Sequence, residues 1–200
     1  MDSNDVRREW ADRSGEYSPR YYAHRGSDEA TELLAETLTE RVGRDASVLE
    51  LGCSSGRHLA ALADAGFTDL TGIDVNADAL DVLAETYEEL AATGTFHVAA
   101  IEEFLPELAD DAFDAVFTVE TLQHVHPDEA WVFAEVARVT GSLLVVVENE
   151  GEEPGTTREV GEGIPLFYRD WNETFTAHGL REVDSGTTKR DTVHVFEPGR

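Results

Sequence analysis

Short apolar runs alternate along this chain with apolar residues spaced at helical intervals. Val48, Leu49 and Leu51 give residues 46–51 strand character, and Gly52 to Gly56 is a turn of small residues. The alanine- and leucine-rich stretch that follows predicts a helix over 56–65. The rhythm continues with a strand at 68–73, a helix at 77–92, and strands at 95–99 and 113–119. A helix opens at Pro127-Asp128 and runs to about residue 139, before a strand over 142–148. That strand is a continuous apolar run, suited to the centre of a parallel sheet. Residues 149–163 are rich in Glu and Gly and read as a loop that covers a substrate. Phe167, Tyr168, Trp171 and Phe175 predict a helix over 166–178. Strands over 180–186 and 191–197 then form an antiparallel hairpin. Upstream, Leu33, Leu34, Leu38 and Val42 mark an amphipathic helix over 28–42 that Gly43 ends. Residues 1–27 are polar and aromatic, and Ser18-Pro19 interrupts any long helix there. The expectation is one α/β domain with a parallel core at 45–200 and a helical cap at 1–44.

Composition narrows the setting. Two hundred residues with 41% hydrophobic content can bury a real core. No apolar run approaches the ~20 residues that cross a bilayer. The acidic start, Met1-Asp-Ser-Asn-Asp, lacks the basic and apolar parts of a signal peptide, so a cytoplasmic protein is expected. There are 42 acids against 15 Lys and Arg, a net charge of −27, and Lys189 is the sole lysine. Such a surface repels nucleic acid and anionic membranes. The acids are interspersed with apolar residues, unlike an acidic tail. This reads as a globular protein adapted to a salt-rich cytoplasm, by resemblance to haloarchaeal proteins. An acidic protein of ordinary salt is the alternative.

The candidate chemistry sits in the turn after the first strand. A glycine turn between a strand and a helix lets backbone approach a ligand and offers free N–H donors. The dinucleotide pattern Gly-x-Gly-x-x-Gly fits poorly, because Ser54 and Arg57 fall where glycines belong. A phosphate-binding Walker loop fails outright, having no lysine. Glu50-x-Gly52-x-Ser54-x-Gly56 remains, with Cys53 inside it, the sole cysteine. Cys53 is either a nucleophile or, more simply, a small space-filler. Asp74 stands 22 positions after Gly52, close to the offset of an acid that grips a ribose. It could instead cap the next helix, although Asn76 could serve there.

The glycine turn resembles motif I of the class I S-adenosylmethionine (SAM)-dependent methyltransferases, with Ser54 for the middle glycine. Glu120-Thr-Leu-Gln-His124-Val resembles the same family's Glu-x-Leu-Glu-His-Val segment, beside the transferred methyl group. The resemblance implies a Rossmann-like, seven-stranded, mostly parallel sheet with helices on both faces. It also implies SAM as cofactor and S-adenosylhomocysteine (SAH) as product. Its implied cofactor residues are Glu50, Gly52, Cys53, Ser54, Gly56, Asp74, Val75, Ile101, Glu102 and Glu120. Val75 and Ile101 would flank the adenine. Ala100 departs from the family's usual aspartate, and Glu102 would either take over from it or simply be solvated. His124 is either a general base or a residue that orients its loop. Some relatives hold a metal with Glu-x-x-Glu-His-His; Gln123 and Val125 here speak against metal. Tyr21, Tyr22, His24 and Arg25 of the cap are candidates to face the cofactor or the substrate, the arginine pairing with the methionine carboxylate, and Tyr168 and Trp171 are candidates for the acceptor side. The alternative is that the cap aromatics only pack.

The implied reaction moves the sulfonium methyl group to a nucleophile, chiefly by alignment in a dry pocket. The aromatic lining points to a small-molecule acceptor. A nucleic acid acceptor would need a basic groove, and the arginines do not cluster in the sequence. The rivals are a non-catalytic SAM- or nucleotide-binding protein or partner subunit, and an NAD-type oxidoreductase. The turn spacing disfavours the last.

Overall fold

Successive residues of a strand face opposite ways, so a strand buried on both sides must be apolar throughout. Leu144, Val145, Val146 and Val147 meet that condition, each 0% exposed. They lie at the centre of the sheet in this computed structural model, which describes residues 1–23, 25–151, 153–160 and 163–199.

The cap begins with α1 (Ser3–Ala11), whose start is held by a reciprocal capping pair, Asp2 and Asp5. α2 (Pro19–Tyr22) is capped by Ser18, and α3 (Glu29–Arg41) by Asp28. The core follows as β1 (Ser47–Leu51), α4 (Arg57–Asp64), β2 (Asp69–Asp74), α5 (Asp78–Thr86), α6 (Glu88–Thr93), β3 (Thr95–Val98) and α7 (Ile101–Phe104). Then come β4 (Phe113–Val119), α8 (Val132–Val139), β5 (Thr140–Glu148), β6 (Thr157–Val160), β7 (Ile164–Phe167), α9 (Trp171–Thr176), β8 (Leu180–Thr187) and β9 (Thr192–Pro198).

The main sheet has the order β3-β2-β1-β4-β5-β9-β8. Its first five strands are parallel, and β9 runs antiparallel between β5 and β8. Alternation along each strand makes two cores. Val48, Phe117, Val145 and Val147 pack with Leu34, Leu38, Leu59 and Leu62 of α3 and α4. Leu49, Val116, Leu144 and Val146 pack with Phe133, Val136, Trp171 and Phe175 of α8 and α9. Each such side chain contributes about 1.5–3 kcal/mol when fully buried. The expected α/β fold, with helices on both faces and a terminal hairpin, is the fold observed. The strand order reverses at β1, between β2 and β4, which opens a crevice at the carboxyl ends of those strands.

Three expected elements differ. The helix over 77–92 is two helices, broken at Tyr87 (φ −130°, ψ 64°), whose ring packs on the core. The loop over 149–163 contains β6, which pairs with β7 in a small antiparallel sheet. The helix over 166–178 starts only at Trp171, where Asp170 accepts the Glu173 N–H at 2.7 Å. Pairing explains the shift: Leu166 and Phe167 are taken up by the ladder with β6, and the next cap residue is Asp170. The aromatic spacing suited a helix, but the cap residue sets its start.

Candidate active site

The β1–α4 turn is made of left-handed residues: Gly52 (φ 72°), Ser54 (φ 47°) and Gly56 (φ 77°). A side chain at Gly52 would put its Cβ 2.3 Å from the Thr121 hydroxyl, so two loops cross there only because glycine is present. Ser54 takes a conformation that costs an L-residue about 1–2 kcal/mol. Its N–H compensates by donating to Asp74 Oδ2 at 2.8 Å. Asp74 Oδ1 accepts from the Asn76 N–H at 2.8 Å, so this carboxylate clamps turn and strand end together. Asn76 Oδ1 in turn accepts from the N–H of Asp78, the first residue of α5, so Asp74 is left to the turn. Burial raises the Asp74 pKa, against the lowering effect of its backbone donors.

Glu50 is 1% exposed, and its Oε2 has no hydrogen-bond partner among the described residues. Burial pushes its carboxyl well above the usual range, opposed by the Arg57 charge. Cys53 fills the space beside Gly72, where an added Cβ would lie 2.8 Å from its sulfur. Burial raises its thiol pKa as well, which suits packing better than nucleophilic attack.

The strand-four loop is fastened from below. Glu148, 0% exposed at the end of β5, accepts from the Thr118 hydroxyl (2.6 Å) and the N–H groups of Thr121 (2.9 Å), Leu122 (2.8 Å) and Gln123 (3.2 Å). Burial pushes its pKa up to about 7. Glu120, which precedes these residues, is held left-handed at φ 50°. His124 Nδ1 meets the Pro165 carbonyl at 3.2 Å, so that nitrogen carries the proton and Nε2 is left as an acceptor. The ring lies 4.4 Å from that of Trp10. Burial, helped by the Arg169 charge, lowers its pKa to about 4. His124 is therefore neutral near pH 7 and a weak base, which favours an orienting role over proton removal.

These groups line one cavity of about 550 Å³. Glu50, Gly52, Cys53, Ser54, Asp74, Val75, Ile101, Glu102, Glu120 and His124 all reach it. Gly56 lies behind the wall, where an added Cβ would meet Leu83 at 2.5 Å. Tyr22, Arg25 and Tyr168 also line the cavity. Tyr21 does not: it receives a hydrogen bond from Arg25 and lies under that guanidinium, so only its partner reaches the cavity. Trp171, expected at the cavity, is instead 0% exposed in the core against Phe133 and Phe175, because the helix starts at this residue and turns it inward. His24 lies outside the described residues.

Several lining residues gave no local signal. Trp10 arrives on α1, which Asn76 ties down by donating to the Trp10 and Arg13 carbonyls at 3.1 and 3.0 Å. Gln123, Asn149, Arg158 and Arg190 come from separate loops and strands. Glu148 had one available signal, an acid ending an otherwise apolar strand. The arginines were expected not to gather. In the fold, six arginines among the described residues line this cavity: Arg7, Arg13, Arg25, Arg57, Arg158 and Arg190.

Residues 48–142 match the methyltransferase domain family. The fold around them is the Rossmann-like methyltransferase fold. A 1,6-didemethyltoxoflavin-N1-methyltransferase from Burkholderia thailandensis, solved with S-adenosylhomocysteine, aligns with a TM-score of 0.69 at 18% identity, over 87% of this chain and 80% of that one. An O-methyltransferase of Pyrenophora dematioidea is 26% identical over 164 residues, 78% of this chain and 58% of the relative. Methyltransferase GfsG of Streptomyces halstedii is 35% identical over 126 residues, 60% of this chain and 44% of the relative. The chain thus spans about half the length of these two methyltransferases. These relatives are fungal and bacterial, and give no support to the haloarchaeal resemblance expected from the composition.

Proposed function

We propose that this chain binds SAM in the crevice and transfers its methyl group to a small-molecule acceptor. The observation that carries the reading is the buried, unpartnered oxygen of Glu50 beside a turn clamped by Asp74. An orphaned buried carboxyl is costly unless a ligand supplies a cation or donor. SAM offers both, in its ammonium and sulfonium groups. Each Asp74 oxygen keeps a lone pair beyond its backbone donor, enough to accept from ribose hydroxyls. Val75 and Ile101 would flank the adenine, Glu102 would accept from its amino group, and Arg25 would meet the methionine carboxylate. When bound, SAM supplies an electrophilic methyl group. The residues position the acceptor: His124 Nε2 accepts from its hydroxyl or amine, and the cap excludes water. The O-methyltransferase and N1-methyltransferase similarities support this class without choosing the atom methylated.

The test is calorimetry with SAM, SAH and NAD, followed by incubation of a metabolite extract with methyl-labelled SAM. SAM and SAH should bind and NAD should not, with label appearing in a small molecule. Label in RNA or protein would remove the small-molecule acceptor. The Trp10–His124 contact favours a second reading, a SAM-binding protein whose acceptor site is closed by α1. Under that reading SAM binds and no extract yields a labelled product.

A salt-rich cytoplasm is the proposed setting. Among the described residues Glu50, Asp191 and Glu148 are buried acids and Asp74 is largely enclosed, while most of the other described acids lie at or near the surface and repel one another. No helix among the described residues is long and apolar enough to cross a membrane. The melting temperature should rise across a potassium chloride series as screening grows; a flat or falling series would contradict salt adaptation.

A further inference from the structure

The charge of the cavity wall opposes that of the whole chain. Overall there are 42 acids against 15 Lys and Arg, yet among the described residues six arginines and four acids line the cavity. Four of the six have visible tasks. Arg7 lies near Glu102 and Glu129, and Arg57 pairs with Asp28 at 2.5 Å. Arg13 donates to the Glu16 carbonyl, and Arg25 to Tyr21. Arg158 and Arg190 form no ion pair or side-chain hydrogen bond among the described residues; the Arg190 charge acts on the adjacent Asp191 only at a distance, lowering its pKa against the effect of burial.

Their places in the fold agree. Arg158 sits on β6 opposite Leu166, next to Pro165, whose carbonyl meets His124. Arg190 lies in the β8–β9 turn, and its carbonyl accepts from Asn149 Nδ2 just beyond β5. Both therefore stand at the His124 end, across the crevice from Asp74 and Glu102. Two guanidinium groups that reach the same cavity and make no ion pair or side-chain hydrogen bond among the described residues keep their forked donors for a ligand.

We propose that the acceptor carries a carboxylate or phosphate group, held by Arg158 and Arg190 while its methyl-accepting atom lies beside His124. This rests on the methyltransferase reading above. A guanidinium matches either anion with two parallel hydrogen bonds, and a neutral amide cannot replace that pairing. The acidic exterior repels anions in general, so the paired arginines confine anion binding to the cavity.

The experiment titrates the full chain, saturated with SAH, with benzoate, phenyl phosphate and benzamide at one potassium chloride concentration. At least one anion should bind tenfold or more tightly than benzamide, and the tighter anion tells carboxylate from phosphate. The Arg158→Gln/Arg190→Gln double variant should lose that preference while its SAH affinity stays that of the unaltered chain. Equal binding of all three probes, no binding of either anion, or a preference that survives the double variant would each overturn the proposal. Failure of the unaltered chain to bind SAH is a different result: it removes the methyltransferase reading, and this inference with it.

Discussion

The β1–β2 wall of the crevice is built from neighbours in sequence, and the β4–β5 wall from residues far apart. On the first, Ser54 meets Asp74 across 20 positions, within a single strand–helix–strand unit. On the second, Thr121 reaches Glu148 across 27 positions, His124 reaches Pro165 across 41, and Asn149 reaches Arg190 across 41. The first wall is specified by what its own turn demands: glycines for left-handed backbone, and an acid to clamp them. The second exists only after β5, β7 and β9 have been brought together. The first wall should therefore tolerate damage to the second, and the two should fail separately, except where they touch.

They touch at Gly52, and the largest loss is expected there. Gly52→Val meets both a φ of 72° and a contact of 2.3 Å with Thr121. Backbone strain and overpacking together should cost about 3–5 kcal/mol in urea unfolding. A loss under 1 kcal/mol would mean that the two loops do not cross as described.

Glu148→Ala tests the second wall alone. It strands the buried N–H groups of Leu122 and Gln123 and the hydroxyl of Thr118, so a loss of about 3 kcal/mol is expected. SAH affinity should change much less than methyl transfer. Equal losses in both would show that the walls are not separable.

Asp74→Ala tests the first. It should weaken SAM binding by about 1.5–3 kcal/mol, the range for hydrogen bonds to a charged group. Unchanged affinity in calorimetry would remove Asp74 from the ribose site.

Proton binding sharpens the contrast with the smallest signal. The folded protein holds the His124 pKa down from 6.5 to about 4, so the unfolded chain binds its proton first as pH falls. Stability from this group is full above pH 6.5 and is lost as pH falls towards about 4. Glu148 has the opposite sign: raised from 4.5 to about 7, it favours the fold at low pH, and its contribution is lost as pH rises through that window. The His124 ring resonances should hence stay unchanged between about pH 5.5 and 8 in NMR spectra. A midpoint near its ordinary value would restore His124 as a candidate base, and His124→Ala would then flatten a pH–rate profile rather than lower it evenly.

Legibility followed the same division. Glu50, Gly52, Ser54 and Asp74 could be read because a glycine turn and a strand-end acid are local demands of one backbone path. Tyr87 and Trp171 were misplaced because apolar spacing records that a residue is buried, not which element buries it. A helix break and a cap at Asp170 decided those two. Trp10, Arg158 and Arg190 carry no local constraint at all. An exposed arginine in a strand or turn reads as a solvated charge until its neighbours in space are known.

The residue pattern alone specified the alternation of strands and helices, the buried centre at β5, the glycine turn and the acid at the end of β2. These follow from period, chirality and the need to satisfy backbone groups, all of which act over a few residues. The gathering of six arginines in an acidic chain, the fastening of the strand-four loop by Glu148 and the neutral state of His124 came only with the folded arrangement. Each depends on distances and burial between segments that the chain brings together through its sheet. Coulomb and desolvation energies depend on separation in space and on local dielectric, and the order of residues encodes neither directly.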